Sequence, residues 1–185
     1  STNEMKRIIQ HWVKIAKIKL GWINEFNEII IKYMVAMVVS ALHHYNVQIW
    51  DVESRELLQN FKEHTSSVSV ARFPPDEHTI VSCSNDGTIR LWDVNAGIEI
   101  ITFKRDLNII CDVNFSLDGK YIVAGLQDNT IRLYNVNSGI ELKQLLGHSE
   151  SVLSTQLSHD GKVIVSSSTD RIICLWDIES GELWK

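Results

Sequence analysis

TIVSCSNDGTIRLWDVNAG (79–97), YIVAGLQDNTIRLYNVNSG (121–139) and VIVSSSTDRIICLWDIESG (163–181) align without a gap. Their anchors, Trp92-Asp93, Tyr134-Asn135 and Trp176-Asp177, stand 42 residues apart, and Trp50-Asp51 lies another 42 residues before Trp92. A gapless period of this length means stacked copies of one supersecondary unit, because a unit so small cannot bury its apolar side alone. Within one copy, Val68 and Val70 alternate with Ser67 and Ser69, then come Ile80-Val81-Ser82 and Ile89-Arg90-Leu91-Trp92. Pro74-Pro75-Asp76, Asn85-Asp86-Gly87 and Asn95-Ala96-Gly97 separate these short β-rich runs. Each copy therefore reads as a meander of about four strands joined by tight turns.

Composition fits such a chain. Of 185 residues, 44% are apolar and 22% charged, with two Pro, the balance of a globular protein of one or two domains rather than of a disordered one. The net charge of −5 is uneven: Lys6, Arg7, Lys14, Lys17 and Lys19 against Glu4 give residues 1–20 a charge of +4, leaving −9 for residues 21–185. An acidic body repels phosphate backbones, so no nucleic acid is expected as a partner. Cys83, Cys111 and Cys174 are an odd number, far apart, without a C-x-x-C pair or a His at zinc spacing. They read as reduced, buried thiols in a cytoplasmic protein, with the nucleus as the alternative. The most apolar stretch, Ile29 to Leu42, is interrupted by Lys32 and covers 14 residues, short of the roughly 20 that span a bilayer, so no firm membrane association is expected. The first residues also lack the pattern of a secretory signal.

The repeat resembles the WD-repeat (transducin-beta-like) β-propeller family, whose units run about 40–45 residues and carry Gly-His and Trp-Asp signatures. Gly147-His148 fits fully, Glu63-His64 keeps the His, and Trp-Asp ends three of the four repeats between residues 46 and 185. The resemblance implies an all-β chain: a partial β-propeller of about three clear and one degenerate four-stranded WD blades, preceded by an N-terminal amphipathic helix. The expected divisions are a basic helix over 1–21, a degenerate first repeat over 22–60 and three repeats over 61–185, the last truncated. One period before Ile80-Val81 and Ser82 stand Val38-Val39 and Ser40, so MVVSALHHYNVQIWDV reads as the second and third strands of the first blade. A helix through 23–42 is the alternative, and residues 22–33 stay open. Residues 4–20 follow a helical period, with Met5, Ile8, Ile9, Trp12, Val13 and Ala16 on one side and Gly21 as a stop. Such a helix lies on an anionic membrane, docks on a partner, covers the propeller's edge or ends an upstream domain.

Two constellations look catalytic. His64, Ser82 and Asp86 are the residue types of a hydrolase triad, and the period repeats them as His148, Ser166 and Asp170. The family resemblance implies a structural role instead, a hydrogen-bonded tetrad within each blade: His64, Ser82, Asp86 and Trp92, then His148, Ser166, Asp170 and Trp176. Buried His, Asp and indole groups must all be paired, whereas a catalytic Ser needs exposure and an oxyanion hole, and no G-x-S-x-G turn supplies one. Duplication also favours architecture, since an enzyme needs one site; no catalytic residue, metal or cofactor is expected. In the 103–144 repeat, Asp106 replaces the His, Ala124 the Ser and Tyr134 the Trp, leaving Asp128; that blade is expected to be the least stable of the three clear ones, with a recognition loop at Arg105 and Asp106 as the other reading. His43-His44 lack further metal ligands. Arg90 and Arg132 are assigned to the face opposite Trp92 and Tyr134, solvated or between blades.

Loops on a rigid frame make binding sites. In the family resembled, the narrower face grips peptides through the third and fifth residues after the Gly-His histidine and the residue before the tetrad Asp. Carried over, these are Ser67, Ser69 and Asn85; Ile109, Cys111 and Gln127; Ser151, Leu153 and Thr169. The resemblance thus implies a non-catalytic scaffold that binds other proteins or peptides; a serine hydrolase and a regulatory segment of a larger signalling protein are the alternatives. Three clear repeats and a partial one fall at or below the lower bound of about 4–8 blades for a ring, so self-association to complete the propeller is also expected.

Overall fold

The computed structural model describes residues 37–41, 45–52, 54–74, 78–104 and 108–184. The helix expected over 4–20, the open stretch 22–33, His43-His44 and the Arg105-Asp106 loop lie outside them. The described chain divides into two compact units, one built around Ile49–Leu58, the other from Val39–Gln48 with Gln59–Lys185. Every described element is a strand. β1 (Met37–Ala41), β2 (Val47–Asp51) and β3 (Leu57–Phe61) form a three-stranded sheet in that order.

Three four-stranded antiparallel sheets follow: β4 (Val68–Arg72), β5 (Thr79–Ser84), β6 (Thr88–Asp93) and β7 (Ile98–Lys104); β8 (Ile110–Phe115), β9 (Tyr121–Leu126), β10 (Thr130–Asn135) and β11 (Glu141–Leu146); β12 (Val152–Leu157), β13 (Val163–Ser168), β14 (Ile173–Asp177) and β15 (Leu183–Trp184). Each is a plain meander, as short β-branched runs between turns require. The turn joining second and third strands puts Gly87, Asn129 and Arg171, one period apart, at φ of 77°, 70° and 68°. That left-handed backbone suits Gly and, less well, Asn, so only Arg171 is strained there.

The sheets stack face to face, and the burial pattern records it. Side chains of a strand point alternately to its two sides. In β5 and β9 five consecutive residues are buried, because both sides are covered, whereas β13 and β14 alternate between buried and exposed. Val81, Ile89 and Leu91 of one sheet pack with Ile110, Val113, Ile122 and Tyr134 of the next. Val123, Ile131 and Leu133 then pack with Val152, Leu157, Ile164 and Trp176 of the third. Gly125 sits in this second contact, where a Cβ would come within 2.8 Å of Val152 Cγ1 and 3.2 Å of the Val152 carbonyl.

The innermost strands are also joined by one buried carboxylate. Asp112 on β8 receives Arg72 Nη2 from β4 at 3.2 Å, and Ser154 Oγ at 3.0 Å and the Thr155 N–H at 2.9 Å from β12. Arg72 Nε donates to the Val113 carbonyl at 3.0 Å, and Asn114 Nδ2 to the Thr155 carbonyl at 2.6 Å. Three sheets thus share one polar clasp. Sequence reading missed it, although Asp112 is the acid at a position where the neighbouring repeats carry Val70 and Ser154.

Candidate functional site

In the β4–β7 sheet, Trp92 Nε1 donates to Ser82 Oγ at 2.8 Å, Ser82 Oγ meets His64 Nε2 at 2.7 Å, and His64 Nδ1 meets Asp86 Oδ2 at 2.9 Å. One proton order satisfies all four: indole to hydroxyl, hydroxyl to Nε2, and Nδ1–H to carboxylate. The Thr65 N–H and Thr88 Oγ1 complete the Asp86 oxygens. The β12–β15 sheet repeats the chain through Trp176, Ser166, His148 and Asp170, with all three contacts at 2.8 Å. A Cβ on Gly147 would lie 2.8 Å from the Trp176 ring, which explains the Gly of Gly-His in that repeat.

Electrostatics follow from this burial. Loss of solvent lowers the His64 imidazole below its ordinary value, against the pull of Asp86, so the ring is neutral. Burial pushes the Asp86 carboxyl up, but hydrogen bonds from Thr88, Thr65 and His64 more than offset it and hold the group at about 2. At Asp170 burial likewise opposes ionisation, and His148 with the Ile172 and Ser149 N–H groups outweighs it, lowering the carboxyl. Chemically the triads are closed: Ser82 and Ser166 are buried, and each oxygen already accepts an indole N–H.

The middle sheet differs. Ala124 and Tyr134 are buried where Ser and Trp stand in its neighbours. Asp128 nevertheless keeps partners: the Thr130 N–H at 3.1 Å, Thr130 Oγ1 at 2.5 Å, Asn108 Nδ2 at 2.8 Å and Arg132 Nη2 at 3.5 Å. Asn108, two residues after Asp106, supplies a donor that sequence reading did not assign.

The arginine assignment is corrected. Arg90 lies on the same side as Trp92, its Cζ 5.9 Å from the ring centroid, because residues two apart on a strand share a side. Each has a partner within its own sheet: Arg90 pairs with Glu99 and buried Arg132 with Glu141 at 2.8 Å, each joining third to fourth strand. The signal was present, since IRLWDVNAGIE (89–99) and IRLYNVNSGIE (131–141) repeat the Arg–Glu separation of nine. The thiols need a smaller correction. Cys83 and Cys174 are buried, Cys111 only half-buried; all three are free, and burial raises each thiol.

The nine expected contact positions gather at one end of each sheet. Asn85 N–H donates to the Ser67 carbonyl at 2.9 Å, Gln127 N–H to Ile109 at 2.9 Å and Thr169 N–H to Ser151 at 3.0 Å, so the residue before each Asp is clamped beside the strand entry. The remaining position in each trio, Ser69, Cys111 and Leu153, is skipped by the ladder at a β-bulge between Val68 and Val70, Ile110 and Asp112, and Val152 and Ser154. A bulge frees a side chain from the sheet's alternation and re-aims it. Ser69, Asn85, Gln127, Leu153 and Thr169 are exposed; Ser67, Ile109, Cys111 and Ser151 are half-buried. Ser69 Oγ donates to Asn85 Oδ1 at 3.2 Å, and Ser151 Oγ reaches across to the Gln127 carbonyl at 3.3 Å. The surface so formed is polar, uncharged and partly apolar.

The family model of the WD domain, G-beta repeat, matches residues 55–93, 98–135 and 139–177, more than half of the chain. The chain belongs to the WD-repeat family. Each matched WD repeat starts on the outer strand of one sheet and continues through the first three strands of the next: 98–135 holds β7 with β8, β9 and β10. WD repeats generally mediate protein–protein interaction and their proteins are typically non-catalytic scaffolds. No curated protein matches this chain. Among the described residues no helix is long and apolar enough to cross a membrane.

Proposed function

We propose that this chain is a non-catalytic interaction module that holds peptide segments of partner proteins at the bulged ends of its WD sheets. The observation that carries the reading is the threefold recurrence of one bulge, which presents Ser69, Cys111 and Leu153 beside the clamped residues Asn85, Gln127 and Thr169. Short polar and apolar side chains without net charge suit hydrogen bonds to a peptide backbone better than phosphate or metal. Selection of a displayed random-peptide library on the wild-type chain, followed by measurement on Asn85→Glu/Gln127→Glu/Thr169→Glu, tests it. Enriched peptides are expected to lose binding to the triple variant while far-UV circular dichroism is unchanged. Undiminished binding moves the site elsewhere. A serine-reactive fluorophosphonate is expected to leave Ser82 and Ser166 unlabelled; labelling at either revives the hydrolase alternative. Three free, unreactive thiols suit a reducing compartment, and we place the protein in the cytoplasm.

A further inference from the structure

Two seams join the three four-stranded WD sheets, and at the bulged ends they are closed unequally. Between the β8–β11 and β12–β15 sheets, Asn129 Nδ2 donates to the Ser149 carbonyl at 3.0 Å and Ser151 Oγ to the Gln127 carbonyl at 3.3 Å. Both bonds cross from one sheet to the next. One period earlier, between the β4–β7 and β8–β11 sheets, both donors are missing from the sequence: Gly87 stands at the place of Asn129, and Ile109 at the place of Ser151. By the repeat register the Asn85 carbonyl, counterpart of the Gln127 carbonyl, faces a branched apolar side chain instead of a hydroxyl. Ser67 and Ser151 flank Ile109 at this position, so the isoleucine is the departure. Both sheets of this seam lie within one compact unit.

The unstitched seam has the chemistry of a subsite for an apolar side chain. Ile109 and Cys111 are half-buried there, and burial together with the Asp112 charge raises the Cys111 thiol, which stays neutral. The carboxylates at the same ends are already engaged: Asp86 by His64, Thr65 and Thr88, Asp128 by Thr130, Asn108 and Arg132. A side chain entering the seam exchanges water for carbon and sulfur, which favours an apolar group and penalises a charged one. A main-chain N–H of the same segment finds an acceptor in the Asn85 carbonyl, as the Ser151 hydroxyl does in the Gln127 carbonyl.

We propose that the seam between the β4–β7 and β8–β11 sheets is the specificity subsite of the peptide site, holding one apolar anchor residue of the bound segment against Ile109 and Cys111 while the segment's main chain donates to the Asn85 carbonyl. The seam stitched by Asn129 and Ser151 holds none. This inference rests on the peptide-holding reading above and adds the identity of the anchor. Peptides selected on the full chain from a displayed random library test it. One apolar residue is expected to recur among them, and its change to Ala to weaken binding about tenfold. In Ile109→Ser, which installs the hydroxyl of Ser151, the same Ala change is expected to have no further effect, because the anchor has already lost its cover. Ile109→Thr, which keeps the branched shape, carries the same expectation, and Ile109→Val should retain the wild-type preference. Far-UV circular dichroism and melting curves follow the fold of each variant. An anchor-to-Ala loss that is equal in the wild type, Ile109→Ser and Ile109→Thr, or selected peptides without a recurrent apolar residue, overturns the subsite. If Asn85→Glu/Gln127→Glu/Thr169→Glu still abolishes binding in that case, the peptide site stands and the subsite alone falls. Undiminished binding to that triple variant, or a library that yields no binder, sinks both.

Discussion

A neutral His64 is required by its neighbours, because Ser82 Oγ already receives the Trp92 N–H and must hand its own proton to Nε2. Protonating the ring would set two donors against one another in a dry site. The imidazole titrates below its ordinary 6.5 in the folded chain, so the unfolded chain binds the proton first and stability falls with pH once below about 6.5. Asp86, at about 2 against an ordinary 3.8, adds a second loss as pH falls from about 4 to 2. Melting temperatures followed from pH 7 to 5 are expected to drop in the wild type and to drop less in His64→Gln; equal slopes would place the titrating group elsewhere. Asp86→Ala strands His64 and Thr65 and is expected to cost about 1–3 kcal/mol in denaturant unfolding. Asp128→Ala, in the repeat without a tetrad, belongs in the same range because Thr130, Asn108 and Arg132 all depend on it. His, Ser, Asp and Trp at fixed places in a period were legible as a set, but Asn108 was not: nothing in its repeat neighbours, Ser66 and Glu150, marks it as a donor.

At the scale of strands and turns, the period itself made four-stranded meanders legible, since each turn carries its Gly, Asn or Asp at a constant offset. Side-chain direction was read less well. Arg90 and Trp92 are two apart and therefore share a side, and the Arg–Glu pairs become visible only when third and fourth strands are laid side by side in register. Arg132→Ala removes a buried cation from between Asp128 and Glu141 and is expected to cost about 3–5 kcal/mol. Arg171→Gly, at φ of 68°, relieves a strained turn and is expected to leave stability unchanged or raise it by up to about 1 kcal/mol. The bulges that re-aim Ser69, Cys111 and Leu153 had no sequence signature: a ladder skips a residue because of how two strands twist together, and neither strand alone records it.

For the molecule as a whole, stacking could be inferred from repetition, but not what clasps the sheets together. Asp112 was hidden, because its partners Arg72 and Ser154 lie in different repeats; Asp112→Ala should lower stability by about 3–5 kcal/mol, more than loss of a tetrad Asp, by freeing three sheets from one clasp. The half-step between repeat and sheet has a further consequence, for gene rearrangement. Excision of residues 98–139, one whole period, would fuse Gly97 to Ile140 and so close the β4–β6 sheet with β11 instead of β7. The splice is seamless at the joint: Glu141 arrives where Glu99 was, opposite Trp92 and in place to pair with Arg90. Such a shortened chain should melt cooperatively, and a lineage carrying this domain could gain or shed units at any cut point spaced by one period without ever leaving a sheet a strand short.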